Sequence, residues 1–472
     1  MFAFPENINL SGFGAHSAED VEQLQKALAI GSEYSTTLPE NLTQGAALAV
    51  EDLDRTLKLI TFGLEDIKLW KDIIKDRAIQ TVHEFNIQAG YGQELSPFFA
   101  MGGTPVETDA IYNRDIAIVK YLGTFGQVQH NLTLIQAAHG PIVAREVKNK
   151  TVELIYKNEK ALFTANSSIN ALEYDGVDFQ IKSKQNLSKY IPNAFVGYST
   201  QGQNDSVVID QRGADMTEDT NEEACLIALN NFGRPMDMYL SPDVLSFYSR
   251  TFYAKERVRP GDTTSSGYRI KEFSGSLDFR FKSNVFNRPR RLPLATGIGS
   301  EAAPSITSLV VNNSDANSKF EATDAGVYSY QVSAAYNDGE TLPSAASNAT
   351  ITAAGQSVSA TISWSGSPLF FNVFRSVAPG NATDLEFIGR IPVPATTGTL
   401  VIIDENINLP GLGSAYLLMH DPDTLVWKQL GSMIKYDLAV IDTSYRWLQL
   451  LYGMVVIQAP RKHIIVSNIG VK

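Results

Sequence analysis

Cysteine is almost absent from this chain: Cys225 is the single one in 472 residues. One thiol excludes an internal disulfide and any thiolate metal cage. Its neighbours Ala224, Leu226 and Ile227 point to a buried structural thiol rather than a nucleophile. Positive charge is also in deficit, with 39 Lys and Arg against 51 Asp and Glu and a formal net charge of −12. Affinity for phosphates comes from clustered Lys and Arg, so tight wrapping of nucleic acid is not expected. Long apolar runs are missing as well. The longest, Leu450 to Ile457, falls far short of the roughly 18 residues of a membrane span. No basic residue precedes Lys26, so a secretory signal peptide with a positive start is not expected, and a bacterial or host cytoplasmic site of synthesis is expected. His16, His83, His130, His139, His420 and His463 are scattered without metal-ligand spacing, and no Gly-x-Ser-x-Gly elbow or phosphate-binding glycine loop occurs. No catalytic residue, metal or cofactor is expected.

What the chain does have is length and a hydrophobic fraction of 44%, enough for two or three domains with cores of their own. Its organising stretch is 79–166. Ile79, Thr81, His83, Phe85 and Ile87 alternate with Gln80, Val82, Glu84, Asn86 and Gln88, roughly the period of a strand with one sheltered face. A second strand is expected over Asp115 to Leu122. Between them, residues 89 to 114 form a connection far longer than the two to five residues or so of an ordinary hairpin. Its Phe98, Phe99, Met101 and Tyr112 are too apolar for a solvated tether, so docking on another molecule is expected. A third strand is expected over Gln127 to Ile135. A helix then runs from Pro141 to about Phe163, with Val143, Val147, Ile155, Leu162 and Phe163 as its apolar stripe. Glu146/Lys150 and Glu153/Lys157 are spaced four apart as pairs.

A protruding hairpin with Phe98-Phe99, the runs Asp109 to Arg114 and Val119 to Thr124, and then a long helix resembles the major capsid proteins of tailed bacteriophages with the Hong Kong 97-type fold. The resemblance implies an α+β fold made of an N-terminal arm, an extended-loop hairpin, a spine helix, and peripheral and axial domains. It implies that Phe98, Phe99, Met101, Tyr112 and Arg114 of the extended loop contact a neighbouring subunit. Some family members join a lysine of that loop to a neighbour's asparagine. Here no lysine lies between Arg77 and Lys120, so no such crosslink is expected.

Residues 1–78 read as an N-terminal arm and helices (18–29, 42–61 and 64–76), 79–122 as the extended-loop hairpin, and 123–302 as the first part of the peripheral and axial domains. Asn170 to Lys182 reads as a turn with flanking strand material, Val207 to Asp210 and Met236 to Leu240 as strands, and Ser241 to Ala254 as a helix. The acidic cluster Asp215, Glu218, Asp219, Glu222 and Glu223 could hold a cation, but a capping box of Thr220 and Glu223 opening a helix explains it better. Arg257, Arg259, Arg288, Arg290 and Arg291 are the basic clusters, read as intersubunit salt bridges in preference to phosphate contacts.

From 303 to 411 the composition shifts to Ser, Thr and Ala, with Lys319, Arg375 and Arg390 as the basic residues. Tyr328, Tyr330, Val332 and Ala334 alternate with small polar residues, and turn signals at Asn337-Asp-Gly339, Ser365-Gly366, Pro379-Gly380 and Thr397-Gly398 separate the runs. This is the pattern of an inserted all-β sandwich, similar to fibronectin type III or immunoglobulin-like domains. It is expected on the outer face, as a binding module or as passive decoration. Residues 412–472 return to the axial and peripheral domains. The resulting expectation is a self-assembling head shell of hexamers and pentamers that encloses DNA without sequence-specific binding, with no membrane. A separate scaffolding protein, a portal and decoration proteins are its expected partners. The alternatives are an encapsulin-like compartment shell and, further off, a surface adhesin.

Overall fold

The computed structural model describes residues 60–61, 63–92, 98–135, 140–191, 206–256 (251–256 by backbone alone), 279–285, 287, 301–380, 384–394, 398–439 and 442–470. The chain divides into two units, Met1–Lys58 with Gln136–Gly140, and Leu59–Ile135 with Pro141–Lys472. The architecture below belongs to the second. Its longer helices are α1 (Ile142–Thr164), α2 (Val177–Lys184), α3 (Glu218–Asn230) and α4 (Pro242–Glu256). Its strands before residue 300 are β1 (Ile74–Arg77), β2 (Val82–Gly90), β3 (Ile111–Ile118), β4 (Lys120–Gln129), β5 (Val208–Asp210), β6 (Asp237–Leu240) and β7 (Arg280–Ser283). Eight strands follow in the stretch rich in Ser, Thr and Ala: β8 (Ser305–Asn312), β9 (Gly326–Tyr336), β10 (Gly339–Glu340), β11 (Ser347–Ile351), β12 (Ser357–Ser363), β13 (Phe370–Ser376), β14 (Leu385–Pro392) and β15 (Thr399–Asp404). The chain closes with β16 (Gly413–Leu418), β17 (Leu425–Gln429), β18 (Ile434–Asp437), β19 (Ser444–Ile457) and β20 (Ile464–Ile469).

Two five-stranded sheets share one core. In the first, β19 pairs antiparallel with β4, β17 and β18, and β1 lies parallel to β17. The second has the order β5-β20-β16-β6-β7. Leu154, Leu162 and Phe163 of α1 and Val177 and Ile181 of α2 pack against residues from both sheets, including Trp427, Val455, Tyr416 and Ile465. Trp427 is fully buried, edge-on to Trp70 at 5.0 Å and to Tyr174 at 5.4 Å. Glycine is needed beside the two buried tryptophans: a Cβ would lie 2.3 Å from the Trp447 ring at Gly126 and 2.4 Å from the Trp427 ring at Gly453. The β2–β3 hairpin stands apart as a two-stranded ribbon. The hairpin and the long helix are those expected from the sequence.

Residues 305–404 carry a second core, in which Tyr328, Tyr330, Val332 and Ala334, with Phe371 and Val373 beside them in the same sheet, pack with Val358, Ala360 and Ile362 of the other sheet. One sheet has the order β15-β12-β8 and the other β10-β9-β13-β14, with β11 also on β9. Buried Arg375 is held by Asp404 at 2.6 Å and Asn406 at 2.7 Å. On the body, Glu173 accepts from Arg390 of β14 at 2.8 and 3.0 Å, and Arg390 also donates to the Thr164 carbonyl at the end of α1. A second contact joins Arg212 to Glu321 at 3.2 Å, and Asn468 of β20 donates to the Ile407 carbonyl at 3.0 Å.

Several local expectations are corrected. The 64–76 helix is instead a 3-10 turn (Leu64–Asp66), a one-turn helix (Leu69–Asp72) and strand β1. Ile74 to Arg77 find a parallel partner in β17, which no local pattern reveals. The strand expected over Gln127 to Ile135 stops at Gln129, where its ladder with β19 ends at Ser444, and His130–Leu134 turn as a short helix. The Asp115 to Leu122 strand divides at Val119 into β3, which starts at Ile111, and β4. Ile79 lies outside β2 and is exposed, although His83, Phe85 and Ile87 do form its sheltered face. The fully buried face of α1 is Leu154, Asn158, Glu159, Leu162 and Phe163, with Val143, Val147 and Ile155 partly buried. Glu153 takes both Lys157 at 2.6 Å and Lys150 at 2.7 Å, so Lys150 pairs forward. Residues 177–184 are helical rather than extended. The α3 cap is Thr217, accepting from Thr220 N, three residues before the expected one. The arm, the 18–29 helix and the 42–61 helix up to residue 59 lie outside the described residues, and Ile60 and Thr61 are not helical.

Among the described residues the most deeply buried acid is Glu159 in α1. It accepts from the backbone N–H groups of Lys68 (3.2 Å), Leu69 (2.8 Å) and Trp70 (2.7 Å), and from Asn284 Nδ2 (2.7 Å) after β7. Burial pushes its carboxyl above the usual range while these donors oppose the shift. Glu159→Gln turns one acceptor into an NH2 group facing donors. It is expected to cost about 1–3 kcal/mol, read as a lower urea midpoint followed by tryptophan fluorescence.

Candidate assembly surfaces

The connection between β2 and β3 runs from Tyr91 to Ala110, with 93–97 outside the described residues. Phe98 is 87% exposed, Phe99 58% and Met101 fully. The outward side of the ribbon adds Val82, Ile116, Ile118 and Tyr112, all exposed. Cross-strand register places Val82 opposite Ile118, Glu84 opposite Ile116, and Gln88 opposite Tyr112. Arg114 sits on this side opposite Asn86 and pairs with Glu84 at 3.4 Å. Of the expected site residues, the structure therefore brings Tyr112 and Arg114 onto one ribbon face and leaves Phe98, Phe99 and Met101 on the tongue beyond it. Arg257, Arg259, Arg288, Arg290 and Arg291 lie outside the described residues.

The inward side of the ribbon is tied down by one carboxylate. Asp115 accepts from Lys189 Nζ at 2.7 Å and from the Tyr190 hydroxyl, and Lys184 Nζ lies 3.3 Å away. Asn113 adds a hydrogen bond to the Lys189 carbonyl at 3.3 Å. Burial alone would raise the Asp115 carboxyl, but the Lys189 and Tyr190 hydrogen bonds and the Lys184 charge hold it down at about 2. Beyond this latch a cleft of about 620 Å³ opens between Asn86–Gly92 and Lys189, Phe232, Asp423 and Lys462. Sequence reasoning missed the latch. Its one signal is an acidic residue inside the alternating Ile111–Ile118 run and two lysines before Tyr190.

The first sheet also keeps an open apolar face. Tyr121, Phe125, Ile434 and Tyr436 are exposed, and register sets Phe125 and Tyr436 on either side of Leu448. Tyr121 packs edge-on to Tyr452 at 5.1 Å. Adjacent exposed apolar side chains make this face a candidate interaction surface.

Polar groups elsewhere serve the fold. Lys282 bridges Asp72 (2.8 Å) and Asp237 (2.9 Å), and the Tyr239 hydroxyl donates to Asp72 at 2.6 Å beside His420 Nε2. His463 Nδ1 accepts from Met419 N, and burial pulls its imidazole down to about 3, so it stays neutral. The acidic run after Asp215 lies at the start of α3, and Cys225 is buried. Among the described residues no group of three His, Cys, Asp or Glu is placed to hold a metal ion, and no helix is long and apolar enough to cross a membrane.

No family model matches the chain. It is 24% identical over 452 residues to the major capsid protein of Staphylococcus phage S25-3, covering 91% of this chain and 92% of that one. The chain is a relative of the phage major capsid proteins. About 9% of the chain lies outside the match, fewer residues than the 303–411 stretch holds, so the match to the staphylococcal capsid protein runs into that stretch. Solved structures overlay more loosely: the capsid of a native GTA particle at TM-score 0.43 (6% identical, 93% of this chain, 100% of that one). The holo-SrpI encapsulin complex from Synechococcus elongatus PCC 7942 overlays at 0.39 (10% identical, 90% and 97%). Overlays this loose do not choose between a phage head and a compartment shell. The near-full-length sequence match is to phage capsid proteins.

Because Asp115 is held below its unfolded value near 4, the latch contributes fully above that pH and is lost as pH falls toward 2. Asp115→Asn removes about 2 kcal/mol of it at neutral pH. The expected readout is faster tryptic cleavage at Arg114, by roughly thirtyfold, with the remaining fragments unchanged.

Proposed function

We propose that this chain is the major capsid protein of a tailed bacteriophage, building the icosahedral head that encloses the genome. The observation that carries the reading is the match to a phage major capsid protein over nearly the whole of both chains. The role is structural and the protein belongs in the virion. In finer detail, the tongue with Phe98, Phe99 and Met101 and the ribbon face with Tyr112 and Arg114 lie against a neighbouring copy within hexamers and pentamers. The exposure of those side chains on a single subunit supports this. Arg257, Arg259, Arg288, Arg290 and Arg291 are proposed as intersubunit salt bridges. The module over 303–411 is proposed as an immunoglobulin-like insertion on the outer surface. A separate scaffolding protein, a portal, decoration proteins and synthesis in the host cytoplasm complete the reading. A net charge of −12 suits a wall that confines DNA without gripping it.

Phe98→Asp with Phe99→Asp withdraws about 3 kcal/mol or more of apolar burial per contact. Folded subunits with unchanged circular dichroism and no closed particles in negative stain are expected; particles in normal yield overturn the tongue assignment. Deleting 303–411 and bridging the ends with a short linker is expected to leave shell assembly intact in the same assay.

A further inference from the structure

The sandwich over 305–404 has an edge that nothing covers among the described residues. Strand β15 pairs with β12 on one side alone, over six residues without a bulge. Along its other side the backbone N–H and C=O groups form a template about 20 Å long. Natural edge strands are blunted by Lys, Pro, bulges or brevity, because an open apolar edge recruits another strand. Here Thr399-Leu-Val-Ile-Ile403 carries none of those devices. Val401 is 56% and Ile403 54% exposed. Register continues the surface inward: Ile403, Ser359 and Val310 form one row and Val401, Thr361 and Ser308 the next. The row residues are uncharged. Asp404, which ends the strand, is buried under Arg375.

Charge narrows the occupant. The 303–411 module has three basic residues against nine acidic ones, so copies repel over most of its surface. The β15 edge with its neutral face is where two copies meet without that cost. The opposite sheet is engaged elsewhere, because β14 is fixed to the body through Arg390 and Glu173. We propose that β15 pairs antiparallel with β15 of a second copy, joining two modules across a twofold axis on the assembled shell. Main-chain hydrogen bonds supply the strand addition, and the neutral β-branched face supplies register. This rests on the shell-forming reading above.

The test uses full-length protein assembled into shells, with Val401→Cys and Ile403→Cys in one chain; the native Cys225 is buried and stays silent. Facing Cα atoms in an antiparallel pair lie about 4.5–5.5 Å apart, within disulfide reach. Mild oxidation is expected to give covalent dimers on a non-reducing denaturing gel, from shells and not from unassembled subunits. In wild-type shells, amides 399–404 are expected to exchange at least tenfold more slowly than in free subunits, a readout independent of the cysteines. Shells that form while residues 401 and 403 stay monomeric and accept maleimide, or a ladder beyond dimers, overturn the twofold pairing. Failure of the wild-type chain to form shells with its scaffold counts instead against the capsid reading.

Discussion

One buried carboxylate holds this fold's layers in place. Glu159 projects from the inner face of α1 into a site without solvent, and an ion there loses several kcal/mol of hydration. Three successive backbone N–H groups and an Asn284 amide replace the lost water. The donors come from the turn that leads into β1, and from the residue after β7. The same oxygen pair therefore fixes the long helix to the edge of each sheet. Removing either side leaves buried donors unmet, so the segments order together or not at all.

The rest of the body repeats this habit of letting one side chain complete another element's backbone. Gln180 of α2 donates to the Val455 carbonyl and accepts from Ile457 N, finishing the side of β19 that β4 leaves open beyond Gly453. Asn287 donates to the carbonyls of Tyr239 and Ser414 across two strands of the second sheet. A body stiffened in this way can carry a long hairpin on the Asp115 latch and the buried Phe85. The energy that the aromatic tongue does not recover within its own subunit is available to association, and a closed shell multiplies such contacts over many copies.

Legibility in the sequence followed the range of the interactions. The period-two pattern at His83, Phe85 and Ile87, the long helix after Pro141, and the inward set Tyr328, Tyr330, Val332 and Ala334 depend on local alternation with one sheltered face, and each is found where the pattern places it. The Leu64 to Asp76 stretch has good helical composition, yet Ile74 to Arg77 go to a strand because β17 offers a ladder. Gln127 to Ile135 alternates well enough for a strand, yet stops when β19 stops. In both cases the deciding partner lies hundreds of residues away.

By itself, then, the sequence determined the alternating strand and over-long connection of the hairpin, the long helix and the separate β-rich stretch, because each is written in composition and spacing within a few tens of residues, while the α+β class rested on the family resemblance. Tertiary structure alone decided which acid is buried, which lysines close on Asp115, how Arg390 grips Glu173, and which strand edge is left open. Those outcomes depend on distant segments arriving at one place, where desolvation and hydrogen-bond geometry choose among side chains that look alike in the chain.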